Sequence, residues 1–255
     1  MNLVNVGPVE VAASLALILI AVLLSWRERL GVGRSIIWAA TRAVFQMVVI
    51  GGALGLVFAK DTPLAWSWLW VIAMVTVGAT TVASRVRGTR GVFLVTWLAL
   101  AVAVGISLLV VFGFGIFPLE ARTLVPTAGM LMGNAIGATV LAVRRTTTEV
   151  REHRDEIEVR LALGQTGRAA LRPHLADAMR TSITPQIEQT KIVGLIALPG
   201  TMTGLLLAGV DPLDAVLTQT VVMFLILGSV AVTSVIVGRG IAGRLVTPDH
   251  RLVST

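Results

Sequence analysis

Long apolar runs, separated by short polar segments, recur along the whole chain. Six of them contain at most one charged residue: 3–25, 35–59, 64–84, 92–117, 123–143 and 215–238. A helix of about 20 apolar residues crosses the ~30 Å hydrocarbon core of a bilayer. Each run therefore predicts a membrane-spanning helix.

A seventh run, 185–209, has the length of a span but contains a break. It would reach ~37 Å as a helix, yet Pro199-Gly200 stands near its middle. Proline removes a backbone donor and clashes with the preceding turn, and glycine adds flexibility. The break is either an ordinary proline kink or a discontinuous helix of the kind at which transporters bind their substrates.

The distribution of basic residues predicts how the spans are oriented. Segments 27–34, 85–90, 144–180 and 239–251, which follow spans one, three, five and seven, hold nearly all of the arginines. The opposite side holds only Lys60 and Arg122. The positive-inside rule therefore predicts seven transmembrane helices, with the N-terminus outside and the C-terminus in the cytosol. We expect an all-α, multi-pass protein of the cell membrane, with residues 1–255 forming one transmembrane domain.

Composition excludes several other classes of protein. A hydrophobic content of 55% is too high for an ordinary soluble domain. The net charge of +7 comes from basic residues concentrated on one side of the membrane, as the positive-inside rule requires. It therefore does not indicate nucleic-acid binding, and we expect no nucleic-acid partner. The absence of cysteine excludes disulfides, zinc fingers and a thiol nucleophile. His153, His174 and His250 fall in predicted cytosolic segments, so the spans offer no histidine for a metal site.

Small residues at four-residue spacing predict a helix–helix contact. They occur in spans five and six, at Gly129, Gly133, Gly137, Gly200, Gly204 and Ala208. Rows of this kind let membrane helices approach closely. We therefore expect spans five and six to pack against each other, either as a fixed contact or as a moving interface.

A few polar side chains lie inside the predicted spans. Arg42 and Gln46 are one turn apart in span two, Asn134 is near the middle of span five, and Glu188 and Lys191 begin span six. A charge at the centre of a helix costs ~2.5–3.5 kcal/mol on insertion scales, so these groups need partners. Glu188 and Lys191 have the i, i+3 spacing of an ion pair. The cluster either forms a vestibule open to the cytosol or consists of side chains that snorkel to the surface.

Segment 144–184 is the one sizeable polar connector, and its pattern is helical. Val150, Ile157 and Leu161 form an apolar stripe that ends at Gly164. A short helix followed by a glycine turn is suited to docking in a groove of a partner protein. The chain has no G-x-x-x-x-G-K-[ST] loop, since its only lysines are Lys60 and Lys191, so any ATP must be hydrolysed by another chain.

Several motifs together resemble one family. They are Met132-Gly-Asn-Ala135, Arg154-Asp-Glu-Ile-Glu158 with Leu161-Ala-Leu-Gly164, Val193-Gly-Leu-Ile-Ala-Leu-Pro-Gly200 with Met202-Thr-Gly204, Asp211-Pro-Leu213 with Gln219, and the R-x-x-x-Q pattern of Arg42 and Gln46. The chain resembles the FetB-type iron-export ABC permeases, to which the plant aluminium-sensitivity transporter proteins also belong. The likeness covers most of the chain and is densest over residues 129–219.

The resemblance implies a permease that exports a metal cation, with iron the usual substrate. It implies a soluble ABC ATPase as partner, in a complex of two permeases and two ATPases, and no cofactor on this chain, because ATP and Mg²⁺ enter through the ATPase. The implied substrate path is Arg42, Gln46, Asn134, Glu188, Lys191, Met202 and Gln219. The implied pivot is Pro199, Gly200 and Gly204, and the implied ATPase-coupling residues are Glu156, Glu158, Leu161 and Gly164. The chain departs from the family pattern at Ile136, Thr201 and Leu205, where many members carry amide or thioether side chains.

Two other functions are compatible with parts of the sequence. An ATP-independent secondary transporter or channel would use Glu188–Lys191 or Arg42 for ion coupling. Against it, no span carries an isolated carboxylate near its midplane. An intramembrane enzyme has few candidate groups, since the spans contain no His, Cys or Asp and no Gly-x-Ser-x-Gly elbow.

Overall fold

The computed structural model describes residues 7–57, 63–86, 89, 91–247 and 251–252. Within these ranges every regular element is an α-helix, which confirms the predicted all-α class. Some residues used in the sequence analysis lie outside the described ranges: Leu3, Ala59, Lys60, Arg87, Arg90 and His250.

The helices follow one another with short connections. They are α1 (Pro8–Arg27), α2 (Gly33–Val57), α3 (Leu64–Arg85), α4 (Val92–Gly113), α5 (Ala121–Glu152), α6 (Arg154–Ala162), α7 (Gly167–Ile192), α8 (Gly200–Leu207) and α9 (Pro212–Leu245). Five of these helices, α2, α3, α4, α5 and α9, are long and apolar enough to cross a membrane. The apolar part of α1, Ala12–Arg27, is shorter. The predicted sixth span is divided between α7 and α8, so the count of seven spans stays a prediction.

The first compact unit, Met1–Thr62, contains a helical hairpin. Between α1 and α2 the chain turns at Arg29 and Gly31, which have φ of 52° and 68°. The turn is closed by backbone hydrogen bonds, such as that from Leu30 N to Ser25 O at 3.0 Å. Ser25 and Gly33 are buried where α1 and α2 meet, whereas the side chains of 41–50 on α2 are exposed.

The second unit, Pro63–Thr255, is built around α9. This helix packs against α4, α5 and α7, and α5 also packs against α3. One end of the unit has a core that includes Leu100, Leu124, Leu131 and Val230. The other end has a core that includes Ile157, Leu171, Val237 and Ile241. The bundle is therefore continuous from the apolar spans into the connector.

The connector is an extension of the long helices rather than a separate module. α5 has 32 residues and α9 has 34, which correspond to about 48 and 51 Å. Both exceed the ~30 Å hydrocarbon core, so each helix continues beyond it. The predicted apolar stripe is confirmed, because Val150, Ile157 and Leu161 are all buried.

The interruption of the predicted sixth span is longer than the sequence analysis expects. α7 runs through Pro185 without a break and ends at Ile192, and the next helix begins only at Gly200. Between them Gly194 has φ of 85°, and its N–H donates to Ala197 O at 3.0 Å. Gly194 ends one helix, and Pro199 disfavours helical geometry in the residue before it. Two helix breakers thus produce a discontinuous helix, which is the second of the two predicted alternatives, rather than a proline kink.

The predicted glycine contact between spans five and six is not formed as expected. Among the described residues of the second unit, a Cβ added at Gly133, Gly137, Gly200 or Gly204 would meet no atom within 4 Å. The close approaches occur elsewhere. A Cβ on Gly78 in α3 would lie 2.9 Å from Met132 Cε in α5. Spacing alone identifies helices that can approach closely, but the fold decides which face is used.

Candidate transport path and coupling helix

The predicted path residues are distributed over both units. Arg42 and Gln46 lie on α2 in the first unit, and both side chains are exposed. Asn134, Glu188, Lys191, Met202 and Gln219 lie in the second unit. The contacts below therefore concern the second unit alone.

Asn134 lies next to a methionine that the sequence analysis missed. The Nδ2 atom of Asn134 donates to the backbone oxygen of Met130 at 2.8 Å, one turn earlier in α5. The Sδ atom of Met130 lies 3.8 Å from Thr201 Oγ1 at the start of α8. The predicted path residue Met202 follows Thr201 in the chain and is half-buried. The thioether of Met130 in α5 thus meets the beginning of the short helix α8, and Asn134 lies one turn further along α5.

Gln219 is a buried amide on α9. Its side chain is 4% exposed, and its Oε1 atom has no hydrogen-bond partner among the described atoms. Buried polar atoms are nearly always paired, and an unpaired one costs ~1–3 kcal/mol. α9 also packs against α8 and α5. An acceptor without a partner at this place is suited to receiving a polar or cationic substrate.

The predicted ion pair at the end of α7 is formed. Lys191 Nζ donates to Glu188 Oε1 at 2.8 Å. Both side chains are more than half exposed. A solvated pair of this kind contributes little to stability. The pair lies in the last turn of α7, directly before the segment in which the helix is interrupted.

The predicted pivot residues lie at the start and in the middle of α8. Pro199 is the N-cap of α8, Gly200 is its first residue, and Gly204 lies in its middle. The helix has eight residues, about 12 Å, which is too short to cross a bilayer. None of its residues, all of which are described, is buried. α8 is thus a half-helix between two turns that packs against α9 without burying any of its residues.

α6 is held firmly on one side and exposed on the other. Ile157 and Leu161 are buried in the core shared with α7 and α9. Glu158 Oε1 accepts from Arg154 Nε at 2.8 Å, and Glu156 Oε1 accepts from Arg160 at 2.6 Å. These pairs lie within one helix and keep the carboxylates of α6 at the surface.

A glycine turn ends α6. Gly164 has φ of 87°. Its N–H donates to Leu161 O at 3.0 Å, and Gln165 N donates to Arg160 O at 3.1 Å. This pair of bonds is the Schellman motif, which places a glycine in the left-handed conformation after the helix. The turn fixes the angle at which α6 leads into α7.

Leu161 faces inward, although the resemblance implies that it contacts an ATPase. It is 8% exposed, whereas Val159 is 59% and Leu163 is 78% exposed. Val159 and Leu163 are four residues apart and lie on the face opposite Ile157 and Leu161. The sequence analysis missed them, although the buried stripe implies that the opposite face of the helix is the one available to a partner.

The chain matches a family model over most of its length. The model is described as "Uncharacterised protein family (UPF0014)", and residues 8–246 match it. No solved structure matches the chain.

Three curated proteins illustrate the relatives. The "UPF0014 membrane protein YjkA" of Bacillus subtilis is 36% identical over 227 residues, covering 89% of this chain and 90% of the relative. The "Protein ALUMINUM SENSITIVE 3" of Arabidopsis thaliana is 34% identical over 230 residues, covering 90% and 84%. The "Probable iron export permease protein FetB" of Escherichia coli is 29% identical over 255 residues, covering 100% and 98%.

Proposed function

The chain belongs to the UPF0014 family of membrane proteins, and from this premise we propose that it is the permease subunit of an ATP-driven metal-cation exporter. It is a multi-pass membrane permease, with a transport role rather than an enzymatic one. A separate soluble ABC ATPase drives the permease, and the exported cation is iron. A relative named as a probable iron export permease supports the substrate.

The geometry of α6 carries the proposal of an ATPase partner. One face of α6 is buried against α5 and α7 in a core that α9 shares, and the other presents Val159 and Leu163. A movement imposed on α6 from outside would therefore reach α5 and α7 directly, and α9 through the shared core. Helix-in-groove docking uses such a short helix with apolar anchors four residues apart. The arginine-rich side of the membrane, where α6 lies, is then the cytosol.

The transport step that we infer is alternating access. ATPase closure would push α6, and the long helices fused to it would shift around the α7–α8 interruption. A cation would enter from the cytosol past the Glu188–Lys191 pair. It would then meet Asn134, Met130, Met202 and Gln219. Irregular backbone at membrane depth is tolerated only where it lines such a path or is covered by protein.

Replacing Gln219 by leucine is expected to lower metal export while leaving the ATPase bound. The change removes the unpaired acceptor but keeps the volume of the side chain. Loss of one polar contact to a desolvated substrate corresponds to ~1–3 kcal/mol, or about tenfold or more in export rate. The measurement is iron efflux from loaded cells at matched amounts of membrane-inserted protein.

The neighbouring Thr220→Val supplies the matched control. Thr220 is exposed, and its hydroxyl donates to Val216 O at 2.8 Å. Wild-type efflux from Thr220→Val and reduced efflux from Gln219→Leu support the path. Equal efflux from wild type and Gln219→Leu would remove Gln219 from it.

We also propose that two copies of the chain form the exporter. The predicted glycine ladder of α5 is open at Gly133 and Gly137 within the second unit. Leu195 and Ile196, in the α7–α8 turn, are 87% and 83% exposed. Turns in a bilayer need protein cover, and open glycine rows allow close helix association. A second copy of the chain would cover the turn and would pack against the open glycine row.

Gly133→Leu is expected to weaken dimerisation about tenfold or more, because overpacking an interface costs ~1–3 kcal/mol. Gly105→Leu in α4 is the control, since Gly105 is also an exposed helical glycine with open space around it. The measurement is the mass of the purified chain in detergent across a concentration series. Unchanged dimerisation in Gly133→Leu would show that this face of α5 does not join two copies.

A further inference from the structure

Two histidines meet at the junction of α5, α6 and α7, away from the proposed transport path. His153 links α5 to α6, and His174 lies in α7. Their rings are stacked, with centroids 4.4 Å apart and an interplanar angle of 27°. In the sequence the two histidines are 21 residues apart, and neither falls in a predicted span. The fold brings them together.

Carboxylates stand beside both rings. Glu149 Oε2 lies 3.5 Å from His153 Nδ1, and Glu156 Oε2 lies 3.7 Å from His174 Nε2. Glu149, His153 and His174 each offer one ligand atom, and these atoms all lie within 4.8 Å of one another. The positive charge of Arg160 is taken up by its bond to Glu156. The cluster therefore combines two imidazoles with the carboxylate of Glu149, and His153 Nδ1 also lies 3.1 Å from the backbone oxygen of Glu149.

His174 is the most informative member of the cluster. It is 7% exposed, and its Nε2 atom makes no hydrogen bond to any described atom. Burial lowers the pKa of His174 below its ordinary value, and the neighbouring His153 adds to this effect. Because this nitrogen bonds to no described atom, it can offer its lone pair to a ligand. A buried nitrogen without a partner needs an explanation in a native structure.

We propose that Glu149, His153 and His174 form a binding site for a divalent first-row transition-metal cation. Neutral imidazole with carboxylate suits Zn²⁺, Fe²⁺ and their neighbours, whereas Mg²⁺ and Ca²⁺ prefer oxygen ligands throughout. Bonds of about 2.0–2.2 Å in tetrahedral geometry place neighbouring ligand atoms about 3.3–3.6 Å apart. Small side-chain rotations would close the present cluster to these distances.

The position of the site gives the bound ion a mechanical role. His153 is the single residue between α5 and α6, and an ion shared with His174 would tie this joint to α7. We infer that the ion restrains α6 in the orientation seen here. The binding site stands without the proposed function, and only its bearing on ATPase coupling rests on that function.

Metal binding to the purified chain tests the site without any partner. Tag-free protein in detergent is dialysed to equilibrium against Zn²⁺ or Co²⁺, and bound metal is measured by elemental analysis. Wild type is expected to bind one more equivalent than Glu149→Gln, His153→Gln or His174→Gln, with at least about 100-fold higher affinity. His250→Gln, which changes the remaining histidine, is the matched control and is expected to bind as wild type does.

Two results would overturn the proposal. One is equal binding by wild type and His153→Gln or Glu149→Gln. The other is a loss of binding in His250→Gln as large as that in His153→Gln.

Hydrogen exchange of α6 provides the second readout. Zn²⁺ is expected to slow it in wild type and not in His153→Gln, and unchanged exchange in wild type would contradict the restraint on α6.

Discussion

The double substitution Val159→Asp with Leu163→Asp is expected to abolish assembly with the ATPase. Both side chains project from the exposed face of α6, so the folded core keeps Ile157 and Leu161. Two charges placed in an apolar groove lose their hydration without gaining partners. We expect binding to fall on the order of 100-fold, in line with the loss of two interface anchors. The measurement is the ATPase activity that co-purifies with the membrane-inserted chain.

Ala176→Asp provides the control on the same connector. Ala176 is exposed on α7, so the added charge stays in water. Assembly of Ala176→Asp at the wild-type level would show that a new negative charge alone is harmless. Full assembly of the α6 double variant would exclude this face as the docking surface.

Gly164→Val is expected to uncouple ATP hydrolysis from transport without preventing insertion. A Cβ added at Gly164 would meet no described atom within 4 Å, so lack of space for it is not the obstacle. Its φ of 87° is the difficulty, since a left-handed conformation costs an L-residue ~1–2 kcal/mol and a β-branched one more. The turn would relax and change the angle between α6 and α7. We expect the cations moved per ATP hydrolysed to fall on the order of tenfold.

Asparagine at the same position separates conformation from side-chain bulk. Asn tolerates the left-handed region better than other non-glycine residues. Gly164→Asn is therefore expected to keep most of the coupling, while Gly164→Val loses it. Equal coupling in both variants and wild type would show that this turn does not transmit the movement.

The sequence predicts the apolar helices well, because hydropathy reports what a bilayer requires. α3 and α4 begin at the predicted Leu64 and Val92. α5 and α9 extend well beyond their apolar runs, to Glu152 and Leu245. Nothing in 144–152 breaks a helix, but its polar side chains end the hydropathy signal. Hydropathy thus marks where a helix leaves the lipid, and the helix itself continues.

The candidate site is harder to predict, since it depends on which faces meet. The Glu188–Lys191 pair is local and follows from its spacing. The contact between Met130 and Thr201 joins distant parts of the chain, so the sequence gives no sign of it. Leu161 belongs to an apolar stripe with Ile157, and burial follows from that pattern. Once this stripe is known to face inward, helix geometry places Val159 and Leu163 on the opposite, exposed face.

Reconstitution into liposomes tests the central claim most directly. The chain is inserted with the ATPase that co-purifies with it, and iron movement is followed with ATP, without ATP, and with an imposed ion gradient in place of ATP. The account predicts iron movement away from the ATPase side that requires both ATP and the ATPase, and that the Val159→Asp, Leu163→Asp variant abolishes. Equal iron movement by the chain alone under an ion gradient, without ATP, would contradict it.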